Sequence, residues 1–312
     1  MGRRKSPHYK IMFYDKNGLK IGELTNETTQ RYINKFDFEL NETGCGSFNL
    51  VLTALPSFEI LRNDIIVIYL MDTATPWYSG YIQKIPESGR TDNIYLFSGY
   101  GFLAELDTIV ANKSYLATEL SVIATDLLDT YITPKTRVIK NVAKISATTY
   151  TATEMIFDYT KAKKAIFDLV AAGETWIAGV DEVREFFFRA RDPNVQVAAV
   201  KAVEKHIDNF LPKEDVAGIV NRYYVKGGAI AGGSNYITTV ENLVSQALYG
   251  LREDIITIPT TNNIADATQW ATGILNQKKD PIITATISNI DITFLGEKIE
   301  AKGKARIMLK AV

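Results

Sequence analysis

Phe36-Asp37-Phe38-Glu39-Leu40-Asn41-Glu42-Thr43-Gly44-Cys45-Gly46-Ser47-Phe48-Asn49-Leu50-Val51-Leu52 is the stretch on which the reading of the fold turns. Phe36, Phe38 and Leu40 fall on one side of an extended chain, with Asp37, Glu39 and Asn41 on the other. A period of two with one wet face is the mark of a half-buried strand. Glu42 to Gly46 supplies a turn, and Phe48, Leu50 and Leu52 resume the alternation, so the two runs form an antiparallel pair.

Upstream, residues 10–14, the turn Asp15-Lys16-Asn17-Gly18 and residues 19–24 read as a hairpin, because Asn-Gly accepts the positive φ angles of tight hairpin turns. Downstream come strand-like runs at 65–71, 77–85 and 93–100, with Pro86-Glu87-Ser88-Gly89 between the last two. Short strands at this spacing over the first ~110 residues predict a small barrel or sandwich.

The period then changes. From Thr118, the residues Leu120, Ile123, Ala124, Leu127, Leu128 and Tyr131 share one helical face, opposite Ser121, Thr125, Asp126 and Asp129, and Pro134 stops the run. A second helix is predicted from about Thr160, with Ala162, Ile166, Leu169 and Val170 on one face and Gly173 as its C-cap. Residues 175–180, a turn at Asp181-Glu182 and residues 183–190 read as a hairpin. Residues 220–226 return to strand character, followed by a loop at 227–234 and a short strand at 235–237. Thr238-Thr239-Val240-Glu241 fits a capping box, with Val240, Leu243, Val244 and Leu248 as the helix stripe before Gly250. A helix over 264–276 is expected to bury Ile264, Ala267, Trp270, Ala271 and Ile274, and Pro281 breaks it ahead of strands at 282–287, 290–295 and 305–309. No internal repeat relates the two β-rich ends.

The chain has 312 residues, enough for two or three domains of ~100–200 residues. Its 35 basic and 36 acidic residues are interspersed and leave a net charge of -1, so no basic field for nucleic acid exists. With hydrophobic residues at 46% and a mean hydropathy of -0.04, the composition is that of a water-soluble protein. The longest strongly apolar run, 65–71, is far below the ~20 residues a membrane helix needs. Met1-Gly2-Arg3-Arg4-Lys5-Ser6-Pro7 is basic but lacks the apolar core of a signal peptide, and its loose fit to a myristoylation signal is read as chance. The lone cysteine, Cys45, excludes an intramolecular disulfide and, between Gly44 and Gly46, reads as a small structural thiol in a turn.

Candidate chemistry is sparse. Gly99-Tyr100-Gly101-Phe102-Leu103-Ala104 formally matches a dinucleotide fingerprint, but antiparallel strands precede it and no crossover helix follows. The glycines from Gly227 to Gly233 lack the Gly-Lys-Ser/Thr ending of a phosphate loop, and Lys226 precedes them. The only histidines are His8, near the N-terminus, and His206, in a charged stretch that reads as a solvated helix face; without a nucleophile elbow no triad can be built. Asp181, Glu182 and Glu185, near Trp176 and Phe186-Phe187-Phe188, offer a carboxylate cluster of the glycosidase kind. The plainer reading, a hairpin tip with acids in water, is preferred. Trp77 and Tyr78 are candidate exposed aromatics for a carbohydrate or receptor, and Tyr223-Tyr224 suits a sheet and an interface equally. No catalytic, cofactor-binding or metal-ligating residue is assigned, and no cofactor is expected.

The order of segments resembles the phage baseplate or tail-tip hub proteins, to which the base of the type VI secretion spike is related. The resemblance rests on the glycine turn and Phe-led strand from Gly44 to Leu52, on Leu61-Arg62-Asn63-Asp64-Ile65-Ile66-Val67-Ile68, and on Trp77-Tyr78-Ser79-Gly80-Tyr81-Ile82 with residues 93–106. It continues in Ile219-Val220-Asn221-Arg222-Tyr223-Tyr224-Val225-Lys226-Gly227, in the run from Ser245 to Arg252, and in the helix around Trp270 with Pro281 after it. It implies a β-rich α+β fold, with two small antiparallel β-barrel, tail-tube-like domains at 1–110 and 219–312 flanking a helical and α+β middle module at 111–218.

By the same resemblance the protein is a non-enzymatic hub, a homotrimeric ring joining a six-fold tail tube to a three-fold spike and letting DNA pass. Its expected partners are further copies of itself, distal tail or tail tube proteins, and tail spike, tape measure or other baseplate proteins. Sequence-specific nucleic-acid binding and a membrane span are not expected. The expected setting is the virion tail tip, assembled in the host cytoplasm. The chain is short for the family, which leaves no length for a fused lysozyme, peptidase or needle domain. The alternatives are a distal tail protein forming a hexameric ring, and a tail-associated glycan-binding or glycan-degrading protein.

Overall fold

A computed structural model of the chain describes residues 9–25, 32–70, 74–86, 94–191, 209–230, 233–261 and 263–288. His8, His206 and the strands expected at 290–295 and 305–309 lie outside these residues.

The N-terminal strands are β1 (Tyr9–Tyr14), β2 (Lys20–Thr25), β3 (Ile33–Asn41), β4 (Gly44–Leu52), β5 (Ile65–Leu70), β6 (Tyr78–Lys84) and β7 (Tyr95–Tyr100). The decisive pair forms as the alternation requires, with Phe36 opposite Leu50 and Phe38 opposite Phe48. Phe38, Phe48, Leu50 and Leu52 are all buried. Gly18, at φ +91°, closes the β1–β2 hairpin at the glycine expected of that turn. Cys45 is not a turn residue: the turn is Glu42-Thr43, and Cys45 is the second residue of β4, buried, with its Sγ accepting the Ser79 amide at 3.4 Å.

The chain then enters a 3-10 turn (Phe102–Thr108), β8 (Val110–Glu119), α1 (Leu120–Leu127), β9 (Ile139–Ile145), β10 (Thr151–Lys161), α2 (Ala162–Ala172), β11 (Trp176–Val180) and β12 (Glu185–Ala190). Both helices lie where the 3.6-residue pattern puts them. The Glu119 carboxylate caps α1 by accepting from the Ser121 and Val122 amides, and a π turn over Leu128–Ile132 ends that run before Pro134. Gly173 does cap α2, but at φ −79°, and the left-handed residue is Glu174 at φ +59°. The strands β8, β9 and β10 are additions to the expected helices and hairpin. β8 and β10 form a two-stranded antiparallel ribbon in which β8 buries only Ala111 and Tyr115, four residues apart.

One ten-stranded sheet runs in the order β2-β1-β5-β6-β7-β4-β11-β12-β9, with β3 on β4. Its pairings are antiparallel except for β4 with β11 and β12 with β9. Among the described residues no barrel closes. The fold class is β-rich α+β.

The last part holds β13 (Asn209–Asp215), β14 (Arg222–Ile230), β15 (Gly233–Glu241), α3 (Leu243–Tyr249), β16 (Glu253–Thr257), α4 (Ile264–Lys278) and β17 (Ile282–Ser288). β15-β14-β16 is one sheet and β13-β17 another. The glycine-rich stretch is not merely a loop, since Gly227 and Gly228 continue β14 and Gly233 begins β15. The capping-box reading fails too. Thr238 to Glu241 stay in β15, paired with β14, and the cap of α3 is Asn242, whose side chain accepts from the Ser245 amide.

Two apolar cores result. One lies inside the N-terminal strands and includes Phe13, Phe48, Ile66, Trp77, Tyr78 and Phe97. The larger joins the 3-10 turn, α1, α2, the β8–β10 ribbon and β11–β12 to Tyr223 and Val225 of β14 and to Ala267, Trp270 and Ala271 of α4. Burying this many large side chains, at about 1.5–3 kcal/mol each, is the main force holding the parts together. Polar ties add direction. Arg137 pairs with Glu105, donates to the Asn63 carbonyl at 2.6 Å, and lies 4.8 Å over the Tyr81 ring. Asp266 accepts from the Tyr150 hydroxyl at 2.5 Å and the Glu154 amide at 3.0 Å, fastening α4 to β10.

Candidate functional site

The acidic cluster sits at the β11–β12 turn, as the hairpin reading requires. Asp181 Oδ1 accepts from the Val183 and Glu185 amides at 3.0 and 2.9 Å, holding the turn in shape. Lys144, from the end of β9, places its Nζ 2.5 Å from Asp181 and 2.7 Å from Glu185, and Asn141 donates to Glu185 at 3.0 Å. Burial pulls the Lys144 ammonium pKa down, but its bonds to Asp181 and Glu185 outweigh that and raise it. The same lysine, with Asn141, lowers the Glu185 carboxyl pKa.

A glycosidase acid must hold its proton near neutral pH, which requires a raised pKa. Glu185 is shifted the other way. Trp176 is at the opposite end of β11 from Asp181, about 16 Å along a strand, and is stacked on Phe188 with centroids 5.0 Å apart. Asp181 and Glu185 thus share Lys144 at the turn, while Trp176 packs on Phe188 at the far end of the strand.

The aromatic pair is also interior. Trp77 is 2% and Tyr78 0% exposed. Tyr78 rests against the Phe38 and Phe48 rings and donates its hydroxyl to the Gly46 carbonyl at 2.8 Å. They therefore present no surface to a glycan. The dinucleotide-like glycines serve packing. A Cβ on Gly99 would lie 1.9 Å from the Tyr81 carbonyl oxygen, and one on Gly101 would lie 2.1 Å from that of Cys45. Among the described residues no group of three His, Cys, Asp or Glu could hold a metal ion, and no helix is long and apolar enough to cross a membrane.

An outward-facing apolar stripe lies on α3, at positions whose helical spacing in the sequence reads as an ordinary core-facing stripe. Leu243, Val244 and Leu248 of α3 are 67%, 70% and 69% exposed, and Leu251 beyond it is also exposed. The buried face of α3 is polar. Ser245 donates to the Lys279 carbonyl at 2.5 Å, and Gln246 donates to the Asn221 carbonyl and to Glu241. The fully buried Asn221 donates to the Gly250 carbonyl at 2.7 Å and accepts from the Arg252 amide at 2.8 Å. Buried polar groups are satisfied here in place of the usual apolar packing, so the apolar side is left facing out.

Glu241 connects this helix to the open face of the β15-β14-β16 sheet, where Arg222 bonds both Glu241 (2.6 Å) and Glu253 (3.0 Å) across the strands. Tyr224 donates to Glu253 at 2.9 Å, and Ile255, its neighbour on β16, is exposed. The only hint in the sequence was the polar set Asn221, Asn242 and Ser245, whose inward placement depends on how the strand and helix meet. Ile264, expected in the core, is likewise exposed at the first position of α4.

No family model matches the sequence, and no curated protein matches it. Solved structures do match in fold. The 43 kDa tail protein of prophage MuSo2 from Shewanella oneidensis superposes with a TM-score of 0.63 at 12% identity, over 93% of this chain and 86% of that one. A tail protein from Neisseria meningitidis gives 0.57 at 12% identity, over 88% and 79%. The prophage tail protein gp18 from Listeria monocytogenes gives 0.52 at 10% identity, again over 88% and 79%. The chain has the fold of these tail proteins.

Proposed function

We propose that this protein is a non-enzymatic structural hub of a phage tail tip or baseplate. The observation that carries the reading is the shared fold with a prophage tail protein over 93% of the chain at a TM-score of 0.63. Lys144 contacts both Asp181 and Glu185, and the lowered pKa of Glu185 is the reverse of what a glycosidase acid needs, which favours a structural part for the acidic turn.

In this reading three copies close a ring, since heterologous contacts that close give cyclic assemblies. The segments 1–110 and 219–312 act as tube-like barrel domains, and 111–218 is the module between them. Three chains then offer six tube-like domains, which matches a six-fold tail tube above to a three-fold spike below. The ring belongs to the virion, is assembled in the host cytoplasm, and lets DNA through. Its neighbours are distal tail or tail tube proteins on one side and spike, tape measure or other baseplate proteins on the other.

Mass measurement of the assembled particle tests this. Three copies of the 34.8 kDa chain, about 104 kDa, are expected for a closed three-fold ring. Six copies would replace the hub with a distal tail ring. A monomer both alone and in the presence of adjoining tail proteins would overturn the assembly reading. Cleavage of any member of a glycan panel by the native protein would overturn the non-enzymatic one.

A further inference from the structure

We draw no further inference here: the strongest candidate, the outward apolar stripe of α3 at Leu243, Val244, Leu248 and Leu251, is an unpartnered helix face of two turns, and nothing in the structure shows what covers it.

Discussion

The carbonyl oxygen of Val180 occupies the place a side chain on residue 44 would need: a Cβ built on Gly44 would lie 1.8 Å from it. This pair is the register contact by which β11 joins β4, and the Val180 amide donates to the Thr43 carbonyl beside it at 3.0 Å. Gly44 is also left-handed, at φ +108°. The hairpin β11–β12 therefore docks on the N-terminal strands through bare backbone, reinforced by Arg191, which forks onto Glu42 at 2.6 and 3.0 Å.

Gly44→Ala meets two penalties, about 1–2 kcal/mol for the left-handed conformation and about 1–3 kcal/mol for overlap with backbone that cannot step aside. Gly18→Ala is the matched comparison, since Gly18 is left-handed at φ +91° with nothing within 4 Å of its Cβ position. Denaturant unfolding should show Gly44→Ala losing about 3 kcal/mol and Gly18→Ala about 1 kcal/mol. Equal losses would mean that the close approach to Val180 has no energetic weight.

Trp77→Ala should behave as a core deletion. The side chain is 2% exposed, so its removal should cost about 3–5 kcal/mol and shift the unfolding midpoint strongly. Tyr78→Phe keeps the ring and removes only the bond to the Gly46 carbonyl, for a loss of about 1 kcal/mol. A Trp77→Ala protein of unchanged stability that had lost affinity for a glycan would restore the binding reading.

Asp168 on α2 predicts a pH signature. Burial pushes its carboxyl up to about 6 from 3.8, against the lowering effect of its bonds to Lys164 at 2.8 and 2.7 Å. Between about pH 4 and pH 6 the folded chain keeps a proton that the unfolded chain has released. The stability conferred by this group therefore falls as pH rises through that window and stays low above it. Asp168→Asn should stabilise the protein by about 1–3 kcal/mol at pH 7, change it little at pH 4, and flatten the slope between. Destabilisation at pH 7 would show that the Lys164 pair outweighs the cost of burial.

The β8–β10 ribbon carries Ala117 at φ +46° and Tyr159 at φ +44°, both non-glycine residues in left-handed backbone. Such a residue costs about 1–2 kcal/mol, and glycine gives back about 0.5–1 kcal/mol in chain entropy. Tyr159 is 74% exposed, so its ring contributes little packing. Ala117→Gly and Tyr159→Gly should each raise stability by about 0.5–1 kcal/mol in thermal unfolding. Ala111→Gly, at a fully buried position of the same strand, should lower it.

Legibility followed locality. The pairing of Phe38 with Phe48 could be read because both flank one short turn and each strand alternates within its own run. The β8–β10 ribbon could not. Between Ala111 and Tyr115 its residues are exposed on both faces, so no period of two reaches the sequence. The acidic turn is legible as a hairpin tip, but the Lys144 that pairs with Asp181 and Glu185 comes from β9, 37 positions away from Asp181. The burial of Trp77 and Tyr78 is hidden from the sequence for a related reason. An aromatic at the start of a strand is equally at home on either face, and only the rings of Phe38 and Phe48 decide which one Tyr78 takes.

The sequence by itself determined the β-rich class, the paired N-terminal strands and the positions of the α1, α2 and α4 helices, because side-chain periodicity and turn chemistry act over a few neighbouring residues. It also determined the order of segments that points to tail proteins. Only the tertiary structure decided the orientation of those elements. It turned α3 so that Ser245 meets the Lys279 carbonyl and Leu243, Val244 and Leu248 face outward, and it joined β11 to β4 at a glycine. Which face of an element is buried depends on partners far along the chain, and a helical stripe has the same spacing whether it points in or out.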